Sequence, residues 1–319
     1  MTNSKPVLLQ LLPLPFPELQ NQLSEAYQVI PLWQADDRDA VIAQYADQVT
    51  VMTTSAMTPT RADLIDRLPN LKAICSLGVG YDSIDISHAH AKGIQVSNTP
   101  DVLNDCVADT AMSLLLATAR RIGHAERYVR ANLWGSGQPF PLGVSVSHKK
   151  LGIIGLGRIG MAIAQRATGF SMQIRYHNRS ERNDVSYGYA ASLKELASWS
   201  DFLVVATVGG PSTKHLINRD VLNALGPNGV IINISRGSVI DEQALVDALA
   251  DGRLGGAGLD VFENEPKVPN ELKALDNVVL LPHIGSATTE TRRAMAGLVL
   301  QNALNYAQQS RLLTPIPVA

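Results

Sequence analysis

Cysteine is nearly absent from this chain: its 319 residues contain two, Cys75 and Cys106. Two thiols build neither a disulfide framework nor a metal-ligand spacing, so no metal is expected. A reducing compartment suits the sequence, and both thiols are expected in the core. Charge of one sign is missing as well. The net charge is -2 at pH 7 and aromatics are 5% of the chain. There is no long basic run and no aromatic interleaving, which leaves no electrostatic footprint for a nucleic acid. Long hydrophobic runs are lacking too. The apolar start at 7–14 is broken by Gln10 and Pro13 and has no basic leader, so it reads as a core strand rather than a signal peptide, and nothing later approaches a membrane span. The expectation is a cytoplasmic protein whose partner is a small molecule, with no nucleic acid and no membrane.

What is there is length for two domains, with 45% hydrophobic residues to fill a core in each. Short β-branched runs alternate with amphipathic stretches, which predicts α/β layers around parallel sheets. Early strands are predicted at 7–12, 29–32, 49–53, 73–76 and 94–97. A second series at 172–176, 202–207, 230–234, 257–261 and 278–281 is long enough for a complete Rossmann sheet. Between them Pro100 suits the first turn of a helix and 102–121 is apolar and alanine-rich, predicting one long helix from the first unit into the second. Another helix is predicted from Thr288, with apolar Met295, Leu298, Val299, Leu300, Ala303 and Leu304, returning the chain to the first unit. The boundary is then crossed twice.

Gly155, Leu156, Gly157, Arg158, Ile159 and Gly160 form a glycine fingerprint. Alone the motif is weak, and a glycine turn between two packed elements has the same spelling. Behind a buried-strand pattern at 151–154 and ahead of a helix pattern, it predicts a dinucleotide with its pyrophosphate at the helix N-terminus. The next predicted strand ends at His177-Asn178-Arg179-Ser180, where an NAD site would place an acidic residue on the adenosine ribose. None stands there. Asn178 is neutral, Arg179 carries a donor fork suited to phosphate and Ser180 adds a hydroxyl, so NADP(H) is predicted over NAD(H). The plainer reading leaves Arg179 and Arg182 as solvated loop charges.

Three strand ends of the second series carry polar residues where open α/β sheets bind ligands. Ser235-Arg236-Gly237 follows one. Asp260, counted on the cofactor side, and Glu263-Asn264-Glu265-Pro266 follow a second, and Pro282-His283-Ile284-Gly285-Ser286 a third. Singly, such an Arg, Glu or His is more often a surface or structural residue. Together beside a fingerprint, Arg236, Glu265 and His283 look like a carbonyl-reduction site. The guanidinium would hold a substrate carboxylate and polarise the keto oxygen, imidazolium would protonate that oxygen, and Glu265 would hold the ring charged and oriented. Among the other histidines, His88 and His90 share a predicted helix, His124 lies near the long helix end and His148 precedes the fingerprint strand. His177 and His215 fall in predicted loops, and none has comparable company.

Leu77-Gly78-Val79-Gly80-Tyr81-Asp82, 151–160, 233–237, 258–266 and 282–287 together resemble the D-isomer-specific 2-hydroxyacid dehydrogenases over almost the full chain. Asn178-Arg179-Ser180 and Gly209-Gly210-Pro211 resemble the NADPH-dependent glyoxylate and hydroxypyruvate reductase branch. The resemblance implies that Arg236, Glu265 and His283 are catalytic and that the loop Leu77, Gly78, Val79 and Gly80 offers backbone N–H groups to the substrate carboxylate. It also implies a Rossmann-type dinucleotide-binding domain at 99–287 and a discontinuous, flavodoxin-like α/β outer domain at 1–98 and 288–319 that binds substrate, in a homodimer. Similar loops reach a neighbouring subunit's active site, which implies a substrate contact for Trp134, though packing at a dimer interface is the equal alternative. Ser286 either bonds substrate or cofactor or caps the following helix.

The expected reaction is hydride transfer from NADPH to C2 of a small 2-oxo acid, giving the D-2-hydroxy acid. Alternatives are a 2-ketoaldonate or aryl-pyruvate reductase of the same family, and a nucleotide-responsive, corepressor-like interaction module. Phosphoglycerate would favour basic residues near 77–81, which offers none, and formate has no keto group to protonate. Corepressor relatives carry recruiting surfaces or tails, whereas this sequence ends soon after its last helix pattern.

Overall fold

The computed structural model describes residues 5–318. It divides into two compact units, one running to Leu103 and resuming at Thr288, the other spanning Asn104–Ala287.

The first unit lays down β1 (Val7–Gln10), α1 (Pro17–Ala26), β2 (Gln28–Pro31), α2 (Arg38–Tyr45), β3 (Val49–Ser55), α3 (Ala62–Asp66), β4 (Ala73–Leu77), α4 (Ile86–Ala91) and β5 (Gln95–Ser97). Its sheet is parallel throughout, in the order β2-β1-β3-β4-β5, the flavodoxin-like arrangement. A parallel sheet covered on both faces needs apolar strands on both sides. Leu8 and Leu9 in β1 are accordingly both buried, as are Met52 in β3 and Ile74 and Cys75 in β4.

The second unit continues with α5 (Asn104–Ala119), α6 (Ile122–Arg130), β6 (Lys150–Ile154), α7 (Arg158–Thr168), β7 (Gln173–His177), β8 (Gly188–Tyr189), α8 (Leu193–Trp199), β9 (Phe202–Val205), α9 (Arg219–Leu225), β10 (Val230–Asn233), α10 (Glu242–Ala250), β11 (Gly256–Leu259), α11 (Asn270–Lys273) and β12 (Val278–Leu280). The chain then returns as α12 (Thr289–Gln309) to the first unit. Its seven strands run β12-β11-β10-β9-β6-β7-β8, all parallel. Counted from β6 this is the Rossmann order 3-2-1-4-5-6 with a seventh strand added, and its topological switch point lies between β6 and β9. The core beneath is built from Ile154, Leu203, Val205, Ile231, Leu245 and Leu259.

Local sequence and packing disagree in a few places. The helix predicted at 102–121 ends at Ala119, where Arg121 takes a left-handed φ of 54° and turns the chain into α6. The strand β8, two residues long, escaped detection because no period shows over so short a run. Cys75 lies in the core, and burial pushes its thiol up to about 12. Cys106, by contrast, sits half-buried in the first turn of α5 rather than in the core.

Candidate active site

The fingerprint occupies the turn from β6 into α7. Gly155 has a φ of +92°, and a Cβ at Gly160 would collide with the Gly155 carbonyl oxygen, so the first and last glycines are required by the turn itself. Gly157 is different. A Cβ there would meet nothing within 4 Å, so the fold alone does not demand this glycine. Gly157 is also the N-cap of α7 and supplies no side-chain bond. Ser192, Asn218 and Asp241 do cap α8, α9 and α10 with their side chains. The N-terminus of α7 therefore has a positive dipole end, no side-chain cap and open space at Gly157, which fits a dinucleotide pyrophosphate.

Asn178 follows β7 and accepts a hydrogen bond at Oδ1 from the Leu156 N–H, 2.7 Å away. Arg179 and Ser180 beside it are exposed. No carboxylate is placed among these three.

The ends of β10, β11 and β12 carry the other candidates. Glu265 Oε2 lies 2.8 Å from His283 Nδ1, and its Oε1 accepts from the Phe262 N–H at 3.0 Å. Burial pushes the Glu265 carboxyl up. The bonds from His283 and Phe262, with the charges of His283 and Arg236, outweigh it and leave the group below its ordinary range. Arg236, half-buried after β10, donates from Nη1 to the Ser235 carbonyl, while its own carbonyl accepts from Asn233 Nδ2. Gly237 next to it packs against the β11 loop so tightly that a Cβ would collide with the Phe262 carbonyl carbon. The strand-end loops bearing Arg236 and Glu265 thus lie backbone against backbone, and glycine is the condition for it.

His283 has a φ of 54°, a left-handed conformation that persists in a non-glycine residue only when its surroundings impose it. Asp260 imposes it. Its carbonyl accepts from the His283 N–H at 2.9 Å, and its two carboxylate oxygens accept from the Ile284 and Gly285 N–H groups at 2.7 Å each. Asp260 was counted on the cofactor side, yet at 1% exposure it spends both oxygens on the loop that presents His283. Burial raises its carboxyl, with the two amides opposing.

Two expectations from the sequence are corrected here. Ser286 does not cap the last helix; Thr288 does, accepting from the Thr291 N–H. His215 is not without company: its Nε2 lies 2.9 Å from Glu263 Oε1, and the Glu263 N–H is held by Glu242. The pairing joins residues 48 apart in the chain, and no local pattern announces it.

In the first unit, the loop after β4 is pinned by Thr99. Its Oγ1 accepts from the Gly78 N–H at 3.0 Å, and its N–H returns to the Gly78 carbonyl at 2.9 Å. Asn98 Nδ2 holds the Val79 carbonyl. Gly78 takes a φ of +129° against Ala56. Of the loop's amides, Gly78 is thereby committed.

Trp134 lies in the second unit, in the segment 131–146 that doubles back along α6. Phe140 of this segment packs against His124 and Tyr128, and the Arg121 guanidinium holds the Leu142 carbonyl. α6 buries none of its residues, and Ile122, Val129, Trp134 (82% exposed), Leu142 (93%) and Val144 stand in solvent.

A doubly wound sheet with a glycine turn and uncapped helix at its switch point defines a pyridine-nucleotide-binding protein of the Rossmann type. The sequence profile of the D-isomer-specific 2-hydroxyacid dehydrogenase NAD-binding domain matches residues 112–285. The chain is 47% identical to hydroxyphenylpyruvate reductase of Plectranthus scutellarioides over 93% of its own length and 95% of that protein's. It is 40% identical to 2-ketogluconate reductase of Gluconobacter oxydans over 98% and 99% of the two chains. Among solved structures, the NADPH-dependent glyoxylate/hydroxypyruvate reductase of Sinorhizobium meliloti in complex with NADP and malonate superposes with a TM-score of 0.90, at 41% identity over 98% and 97% of the chains. The chain belongs to the D-isomer-specific 2-hydroxyacid dehydrogenase family and is an oxidoreductase of its reductase members.

Proposed function

We propose that this chain reduces a small 2-oxo acid of the glyoxylate and hydroxypyruvate type to the D-2-hydroxy acid, using NADPH. The observation that carries the reading is the 2.8 Å bond between His283 Nδ1 and Glu265 Oε2. With Nδ1 engaged, Nε2 is the nitrogen left to deliver a proton to the substrate's keto oxygen. Glu265 fixes the ring and supplies the counter-charge, Arg236 draws electron density from the carbonyl, and Asp260 sets the angle of the His283 loop. The Val79 and Gly80 amides suit a carboxylate. When bound, the nicotinamide supplies the hydride that C2 accepts. NADPH rather than NADH is supported by Asn178-Arg179-Ser180, which offers a cation and a hydroxyl where a carboxylate would repel the 2'-phosphate. The domain reading follows: the second unit binds the dinucleotide and the first the 2-oxo acid.

We also read the protein as a cytoplasmic homodimer. A chain with only two cysteines suits a reducing compartment, and among the described residues no helix is long and apolar enough to cross a membrane. The exposed apolar residues of α6 and 131–146 form the surface that a second copy would cover, and Trp134 lies on it.

Purified protein assayed with glyoxylate, hydroxypyruvate, 2-ketogluconate and hydroxyphenylpyruvate against NADPH and NADH tests the reading. Glyoxylate or hydroxypyruvate with NADPH is expected to give the highest kcat/KM, and preference for a larger acid overturns the substrate. His283→Asn should lower kcat by about a hundredfold to ten-thousandfold with NADPH binding unchanged. Turnover surviving that change removes the proton donor.

A further inference from the structure

Leu156, the second residue of the fingerprint, has both backbone polar groups tied to the loop that follows β7. Its N–H donates to Asn178 Oδ1 at 2.7 Å, and its carbonyl accepts from Arg182 Nη1 at 2.8 Å. Arg182 is fixed from three further directions. Its N–H donates to the Tyr176 hydroxyl at 2.8 Å, and that hydroxyl donates back to the Arg182 carbonyl. Tyr176 is itself fully buried in β7. On the other edge of the guanidinium, Nε and Nη2 form a two-pronged bond to Asp184 at 2.9 and 2.5 Å.

An Arg fork that faces a carboxylate is not free to face a phosphate. Of the five guanidinium N–H groups, three are used within this loop and its neighbour, including the Nε edge best suited to bidentate contact. Arg179 stands in contrast: it is exposed and has no ion-pair or hydrogen-bond partner among the described residues. An exposed ion pair such as Arg182–Asp184 contributes little to stability. Its effect is to hold the guanidinium at one angle, the one that reaches Leu156. The bond from Arg182 also draws the Asp184 carboxyl below its usual range.

We propose that Arg182, aimed by Asp184, is a positioning residue that locks the pyrophosphate turn to the ribose loop, serving NADPH and NADH alike, while the preference between them rests on Arg179 and Ser180. The proposal rests on the dinucleotide reading above. It changes the sense of the second arginine in the loop, from a solvated surface charge to a brace for the turn.

The test is fluorescence titration of the full chain with NADPH and with NADH, accompanied by melting curves. Arg182→Ala should weaken both cofactors by the same factor, roughly tenfold, with the melting temperature unchanged, and Arg182→Lys should recover part of both losses by regaining the Leu156 carbonyl. Arg179→Ala should weaken NADPH by a similar factor and leave NADH nearly untouched. Should Arg182→Ala fold poorly, Asp184→Asn keeps the arginine but loosens its aim and should show a smaller, again equal, loss. Loss for NADPH alone would make Arg182 a phosphate ligand and overturn the proposal, as would no loss for either cofactor. A wild-type preference for NADH would overturn the NADPH reading while leaving the equal-loss test intact.

Discussion

Glu265 stays ionised against its own burial because His283, the Phe262 amide and the nearby positive charges favour the charged form more than the interior penalises it. Its carboxyl lies below the ordinary 4.5 in the folded protein. The stability it contributes is therefore present above that value and lost as the pH falls through the folded one. Glu265→Gln should flatten the acid side of the melting-temperature profile, where the pH falls below the ordinary 4.5. At neutral pH it should cost roughly 1.5 to 3 kcal/mol, the contribution of a charged hydrogen bond, read as a lower melting temperature. Equal acid slopes for the two proteins would show that this carboxylate is not what titrates. Asp260 works in the opposite sense, since its carboxyl is raised by burial, and so it cannot supply the same acid-side loss.

The start of α7 separates two kinds of glycine by element geometry rather than by residue type. Gly160 is wanted by the turn, because any side chain meets the Gly155 carbonyl; Gly157 is wanted by nothing inside the fold. Gly160→Ala should therefore destabilise by roughly 1 to 3 kcal/mol in a melting experiment, an overpacking cost. Gly157→Ala should leave the melting temperature alone and weaken NADPH about tenfold or more by standing where the phosphates approach. Similar losses of stability in both would mean that the middle glycine is merely structural. The same logic explains why α8, α9 and α10 carry Ser192, Asn218 and Asp241 at their starts while α7 does not. A capping side chain would take the amides that an anion needs.

At the scale of the whole molecule, the exposed apolar side chains of the second unit are concentrated in one stretch of chain. In the second unit, five of the seven large exposed hydrophobics fall between Ile122 and Val144, on a helix and strap that bury little of their own. Single exposed apolar residues are ordinary, but a contiguous group marks an interface. Replacing Leu142 and Trp134 together with Asp should shift the protein from dimer to monomer in sedimentation. An unchanged sedimentation coefficient, or a wild-type protein already monomeric, would sink the dimer reading.

Much of this was legible in one dimension. The alternation of apolar runs and amphipathic stretches has the period of its own elements, so the parallel α/β architecture, the glycine turn and most strands could be read without coordinates. The polar residues at strand ends could be read for the same reason, since chain order places each at one edge of its sheet. Distances between chain-remote groups are set by packing instead. The paired carboxylate and ring of Glu265 and His283, the commitment of Asp260 to three successive amides, the Glu263 partner of His215 and the hold of Arg182 on Leu156 each join segments that no periodicity connects. Side-chain identity determined which chemistry was on offer; the folding of separate strand ends against one another decided which atoms would meet to perform it.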